Sequence, residues 1–345
     1  MSEVPTAPAS DTSRERGWWR VLIAALLFLF VPMTPLFRIV FPVDQTLVLL
    51  ATTLAACAAV GWLAGGRAPL AVLWMGLAGW VMWKMTSGGD AFAFLTTGWA
   101  VLLAAGFAGI AGFKPLGTTR AFFPKAIGTI GVTVLLAGAA TLVTPNGPAL
   151  VRQAVTVEVG RRAERSVAGW RQMTDSKEWR DFVAKNPDAA TLASEVDTQL
   201  QALPAVAGML FPAMLALESL AALALAWAVY HRIGRARLGP PLGTLREFRF
   251  NDQLIWGLIA GLVLVLVPGF AFLRGLGANL LMFFGAVYAL RGMGVALWFL
   301  APGRFVMALL IGFAVLFWHV IGVLALGLGL GDTWADWRSR ARPKT

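Results

Sequence analysis

Charge and the residues of reactive chemistry are scarce in this chain, and each shortage excludes something. Of 345 residues only 14% are Asp, Glu, Lys or Arg, where an ordinary soluble domain carries about 25%. The lone cysteine, Cys57, lies inside the apolar run "LLATTLAACAAVGWLAG", so no intramolecular disulfide forms. The two histidines, His231 and His319, belong to no HExxH pattern, and with no cysteine cluster beside them a conventional zinc site is not expected. No GxSxG elbow marks a serine hydrolase. No phosphate loop of the GxxxxGK[ST] type is present either, and "GLGLGD" at 327–332 has glycines but neither a preceding strand nor the GxGxxG spacing. The chain reads as a non-enzyme that holds no cofactor and no metal. Nucleic-acid motifs are missing as well, and the net charge of +11 needs no polyanion, because the Lys and Arg residues fall mainly between apolar runs.

What the chain has in abundance is apolar length. Its composition is 58% hydrophobic with a mean hydropathy of +0.71, more than a soluble core buries. Apolar runs lie near 19–41, 46–65, 69–86, 92–113, 122–144, 204–230, 254–273, 276–300 and 305–330. About 20 apolar residues in helix span the roughly 30 Å of hydrocarbon in a bilayer. The expected fold is therefore an all-α polytopic transmembrane bundle of eight or nine spans with one helical extramembrane insertion, and the lipid bilayer is its first partner. The first run is long, carries Pro32 and Pro35 and lacks a small-residue cleavage site, so it reads as a retained span rather than a signal peptide.

Five regions follow from the composition: a polar, disordered lead at 1–17, N-terminal spans at 18–144, a polar helical insertion at 145–203, C-terminal spans at 204–331 and a basic tail at 332–345. Orientation follows from the basic residues. Placing the N-terminus in the cytoplasm puts Arg14, Arg16, Arg20, Arg67, Lys114, Arg120, Lys125, Arg232, Arg235, Arg237, Arg246, Arg249 and Arg304 inside. Only Arg38, Lys84 and Arg274 then sit in short external connections, the bias expected of cytoplasmic loops. The tail conflicts with this count, since nine crossings send Arg338, Arg340, Arg342 and Lys344 outside. Either one run fails to cross or the tail breaks the rule, and the proline-broken first run and glycine-rich last run are both candidates for irregular structure. The insertion, extracytoplasmic in this orientation, holds eight basic and eight acidic residues between Leu150 and Leu203. It reads either as a helical hairpin or cap, with "KNPD" as a break and Asp188 as a helix start, or as a solvated connector.

Ionisable residues within the apolar runs are the candidate site. Glu218 stands in the middle of "AMLALESLAALALAW", Arg291 in the inner half of 276–300 and His319 near the centre of 305–330. A charge at the centre of a membrane helix costs on the order of 2.5 to 3.5 kcal/mol on insertion scales, which favours a partner or a wet cavity. The expectation is that Glu218, Arg291 and His319 meet in the C-terminal bundle, as a polar structural tie or as the floor of a small-molecule pocket. Asn279 and Tyr288 are further polar points that bond across helices or join the pocket. The loop carrying Arg232, Arg235, Arg237, Arg246 and Arg249 is the candidate docking site for a cytoplasmic or membrane protein partner.

The C-terminal half carries a family resemblance. It contains "PPLGTLREFRFNDQLIWGLIAGLVLVL", then "LGANLLMFFGAVYALRGMGVALWFL", and closes on "GLGLGDTWADWRSR". These stretches resemble the bacterial DUF2232 (YybS-like) membrane proteins over roughly 200–342. Arg246, Phe248, Arg249, Asn279, Gly292, Asp332 and Arg338 match the family's pattern, and Arg291 stands where the family more often has glutamine. The family is distantly similar to the substrate-binding S components of energy-coupling-factor transporters, which have no ATPase of their own. The resemblance implies a transporter-like small-molecule binding component. The alternative is a non-catalytic scaffold that recruits other envelope proteins.

Overall fold

The computed structural model describes residues 17–112, 121–186 and 188–341, and all regular structure among them is helical. Most of the polar lead, Lys114, Arg120 and the last residues of the tail lie outside the described residues. The first apolar run divides at its prolines. Helix α1 (Trp18–Phe30) ends in a 3-10 turn through Pro32, and the short α2 (Pro35–Val40) follows. A proline has no N–H to donate and crowds the carbonyl four residues earlier, so closely spaced prolines interrupt the helical ladder.

Four membrane-length helices come next: α3 (Val43–Leu63), α4 (Ala68–Thr86), α5 (Ala91–Gly112) and α6 (Phe122–Val143). Gly65, at φ +89°, turns the chain between α3 and α4. Helix α3 is the central spindle, with α4, α5 and α9 packed around it. Its stretch "ATTLAACAA" is almost entirely buried, and side chains this small let neighbouring backbones approach. The hydroxyls of Thr52 and Thr53 donate to the carbonyls of Val48 and Leu49 at 2.8 and 2.7 Å, which satisfies them where water is absent. Outward faces stay apolar, as at Leu73, Val134 and Leu135, as a surface against lipid requires.

The polar insertion is a helical hairpin. Helix α7 (Gly147–Thr174) is followed by α8 (Lys177–Lys185), which Ser176 caps by accepting from the Trp179 N–H, and then by α9 (Asp188–Ile233). The expected boundary between 203 and 204 does not exist as a structural break. Insertion and span form one rod of 46 residues, about 69 Å long at 1.5 Å per residue. That is more than twice the hydrocarbon thickness, so the N-terminal part of α9 stands beyond the bilayer, with α7 packed along it.

The C-terminal part comprises α10 (Ile255–Leu266), a 3-10 segment Pro268–Leu273, α11 (Arg274–Leu300), α12 (Arg304–Leu316), α13 (Trp318–Ala335) and α14 (Trp337–Arg340). The last apolar run is bent by 109° between Phe305–Ala314 and His319–Ala335. Among the described residues six helices are long and apolar enough to cross a membrane, seven if the bent pair is one span, where the apolar runs suggested eight or nine. The difference lies in the first run, in the run at 254–273 and in the last one, all of which are broken or short.

Chain ends and loop share one end of the bundle. Arg232 donates to the Gly17 carbonyl at 3.5 Å, and Arg338 donates to the carbonyls of Arg246 and Phe248 at 2.9 and 3.1 Å. The start of the described chain, the basic loop and the tail therefore lie together, and the hairpin rises from the opposite end. This removes the conflict over the basic tail, because the bent last run brings the chain back beside the loop.

Candidate functional site

Glu218 does not meet Arg291. It sits on α9 at 5% exposure, facing the first turn of α3. Thr46 Oγ1 donates to its Oε1 at 2.6 Å and Gln45 Nε2 donates to its Oε2. The next residue, Ser219, accepts from Trp99 Nε1 of α5 at 2.9 Å and donates to the Leu215 carbonyl at 2.7 Å. A polar joint thus ties α9 to both α3 and α5 within an apolar core. The expected pairing fails because Glu218 and Arg291 lie on different interfaces: α9 turns Glu218 toward α3, while α11 turns Arg291 toward α13.

Arg291 belongs to a buried charge cluster at the loop end. Its Nε donates to Asp332 Oδ2 at 2.9 Å, its Nη1 to Asp252 at 2.6 Å, and its Nη2 to the Asp332 carbonyl at 3.2 Å. Arg338 Nη2 donates to the same Asp332 oxygen at 2.7 Å. Asp332 is fully buried, and Arg291 and Arg338 nearly so. The Arg291 guanidinium also lies 5.2 Å from the Phe250 ring centroid. Two arginines on one carboxylate, with further carbonyl acceptors, satisfy charges that an isolated pair would leave costly. The cluster fastens α11, α13, the tail and the 245–254 segment together. Close packing at Gly292 and Gly329 supports it: a Cβ on Gly292 would stand 1.7 Å from the Ala325 carbonyl oxygen, and one on Gly329 2.0 Å from that of Tyr288.

Asn279 repairs a proline break. Pro212 lies inside α9 and has no N–H to close the turn onto the Gly208 carbonyl. The Ala213 N–H donates to Asn279 Oδ1 at 2.8 Å, and Asn279 Nδ2 donates to the Met209 carbonyl at 2.9 Å and to the Gly275 carbonyl at 2.8 Å. A side-chain amide from α11 is inserted into the open turn, as backbone groups freed within a bilayer require. His319 lies at the bend between α12 and α13 with an exposed side chain, apart from Glu218, Arg291 and Asn279.

The basic loop is fastened rather than loose. His231 has both ring nitrogens at carbonyls, Trp227 at 2.9 Å and Gly239 at 3.1 Å; Lys125 donates to the Leu238 carbonyl at 2.8 Å and Trp227 Nε1 to that of Pro240 at 3.2 Å. Arg232 Nη1 donates to the Ala228 carbonyl at 2.8 Å and Arg237 to that of His231 at 3.5 Å. Arg249 pairs with Asp336 at 3.0 Å, Arg246 is half-buried, and Arg235 is exposed. The Asp336 carboxyl, held by a hydrogen bond from Ser339 and by Arg249, lies below the usual carboxylate range.

A charged cavity lies at the hairpin end, in the N-terminal half of the chain. A volume of about 500 Å³ is lined by the first turn of α3, the α4–α5 connection and α7, and it gathers Arg38, Lys84, Arg161, Arg162 and Arg165 with Asp44, Asp90 and Glu158. Arg162, 7% exposed, donates to Glu158 at 2.7 Å and stacks 4.5 Å from the Phe92 ring centroid. Burial pushes its guanidinium below the ordinary value, and Glu158 opposes that shift. Glu158 also accepts from Arg161, which lies 3.8 Å from Asp90. Arg38, Lys84 and Arg165 form no ion pair among the described residues. Gln45 lines the cavity at 1% exposure, and its Oε1 has no hydrogen-bond partner among the described residues. Since its amide nitrogen holds Glu218, this one side chain links the cavity to the joint inside the bundle. Gln45, Thr46, Glu158 and Arg162 are not singled out in the sequence; the Glu158, Arg161, Arg162, Arg165 spacing on one helical face was the available signal.

These features define a polytopic α-helical membrane protein with a charged cavity at one end and a buried ionic fastening at the other. Residues 181–333 match the model of the family described as "Predicted membrane protein (DUF2232)". The matched segment spans α9 to α13, including Glu218, Asn279, Arg291 and Asp332, and leaves out the α3 and α7 residues of the cavity. No curated protein and no solved structure matches the chain.

Proposed function

We propose that the protein is a membrane-embedded binding component for a small anionic molecule, taken up in the cavity between α3, the α4–α5 connection and α7. The observation that carries this reading is the buried Gln45, whose unpartnered Oε1 lines a cavity in which cations outnumber carboxylates. An unsatisfied acceptor buried beside a nearly buried guanidinium is costly unless something occupies the space. Binding there bears on the Glu218 joint through Gln45, which is how occupancy is felt by α9 and α5. With no phosphate-loop motif in the sequence, an energised transport step falls to a separate subunit at the loop end. In the orientation that places the basic loop in the cytoplasm, the cavity opens on the far side of the membrane, where a captured solute enters.

The test is a thermal titration of the purified protein in detergent with inorganic phosphate and with glycerol 3-phosphate. A ligand of the native state raises the midpoint in proportion to RT ln(1 + [L]/Kd). The rise should disappear in Lys84→Gln/Arg165→Gln, whose exposed side chains make no hydrogen bond or ion pair among the described residues. A flat response in the unaltered protein refutes the proposal. The projecting hairpin favours a second reading, a scaffold that docks other proteins along α7 and α9, and co-purification of stoichiometric partners without any anion response is its signature.

A further inference from the structure

The charged cavity does not stand alone. A second cavity of about 630 Å³ adjoins it and shares Arg38, Arg162 and Arg165, and away from these residues its walls are mainly apolar: Met33, Phe37, Trp170, Met173, Val196 and Leu200. It runs between the proline-broken segment 31–40 and the base of the hairpin. The two spaces form one amphipathic site, with cations at the junction, carboxylates and Gln45 on one side and an apolar channel on the other. Resting on the reading above, we infer that the ligand is an amphiphile: an acidic headgroup bearing at least one hydroxyl, carried on an apolar chain.

Each part of that description has a residue behind it. The anionic group faces Arg38, Arg162 and Arg165, the residues common to both cavities. A hydroxyl is called for because the buried Gln45 Oε1 is an acceptor without a donor among the described residues, so the headgroup must donate as well as accept. The chain is called for because the second cavity offers little but hydrocarbon surface. Its walls Met33, Phe37 and Met173 are each between 44 and 58% exposed, so the apolar space is open at its side. Phosphatidylglycerol has this chemistry, and free glycerol 3-phosphate has its head alone.

The experiment is native mass spectrometry of the full chain released from nanodiscs of phosphatidylglycerol and phosphatidylcholine in equal amounts. Phosphatidylglycerol adducts should be retained and phosphatidylcholine adducts lost. Arg38→Gln/Arg165→Gln removes two cations from the junction and should lower the retained fraction about tenfold. Gly169→Phe is chosen to fill the apolar cavity, because Gly169 lines it and a Cβ there meets nothing within 4 Å. It should reduce lipid retention similarly while leaving the thermal response to glycerol 3-phosphate intact. Arg249→Gln, at the opposite end, is the control and should change neither. Equal retention of both lipids, or retention unaffected by Gly169→Phe, overturns the amphiphile. If glycerol 3-phosphate still stabilises the protein in that case, the anion-binding reading stands and only the apolar chain is refuted. If neither lipid nor free headgroup responds to the arginine changes, both are refuted.

Discussion

Replacing Asn279 with leucine is the sharpest test of how this bundle tolerates a proline in the middle of α9. The substitution keeps the side-chain volume roughly constant and removes the amide that receives the Ala213 N–H and donates to the Met209 carbonyl. Interhelical hydrogen bonds within membranes average about 0.6 kcal/mol and reach about 1.7, so losing two costs about 1 to 3 kcal/mol. The helix cannot recover the loss by closing its own bond, because Pro212 holds the turn open. Pro212→Ala removes that obstacle and lets Ala213 bond to Met209 as in any helix. The cost of Asn279→Leu should therefore fall below about 1 kcal/mol in the Pro212→Ala background, a coupling of about 1 to 2 kcal/mol. The assay is equilibrium unfolding in mixed detergent and dodecyl sulfate micelles, followed by tryptophan fluorescence. At about 1.4 kcal/mol per tenfold change in equilibrium constant, the single variant moves the folded-to-unfolded ratio by roughly thirtyfold at mid-range. Additivity of the two changes within about 0.5 kcal/mol would refute the claim that the amide serves the proline break.

Further outcomes follow from the same geometry. Glu218→Gln and Arg291→Gln should be additive in the same unfolding assay, because one loosens the α3–α9 joint and the other the α11–α13 cluster; a coupling above about 1 kcal/mol would restore the pairing that the sequence suggested. Gly292→Ala should lower thermal stability sharply, since the new Cβ meets the Ala325 carbonyl oxygen at 1.7 Å, whereas Gly285→Ala, with nothing within 4 Å, should be close to neutral; equal effects would place α13 elsewhere. Asp332→Ala leaves Arg291 and Arg338 buried without their carboxylate, for which about 3 to 5 kcal/mol is expected, read as lost folded yield; a fully folded variant would contradict the buried cluster. Cysteines introduced at residue 17 and at residue 340 should be labelled by an impermeant maleimide from the same side of the membrane, with native Cys57, fully buried, remaining silent.

Class, helix content and most of the long helices were legible in the sequence, because hydrophobic length is a local property and a helix needs no partner to satisfy its backbone in lipid. The six uninterrupted runs became helices within a few residues of their expected ends, α9 apart. Its hidden extension had no local marker, since the change from polar to apolar at residue 203 alters the solvent and not the backbone. The positive-inside bias likewise pointed to an orientation, and the run before the conflicting tail is the one that the structure bends by 109°.

The partners of the buried charges could not be read this way. Whether Glu218 faces Arg291 or Thr46 depends on the rotation of α9 about its axis and on which helix lies beside it, and both are decided by packing across more than 170 positions of sequence. Only the tertiary structure brings the first turn of α3 to α9, seats Asn279 in the open turn at Pro212 and gathers Arg38, Lys84 and Arg162 around Gln45. The physical reason is one of range: hydropathy acts residue by residue and sorts chain from water, whereas the complementarity of a buried donor and its acceptor exists only after the helices have met.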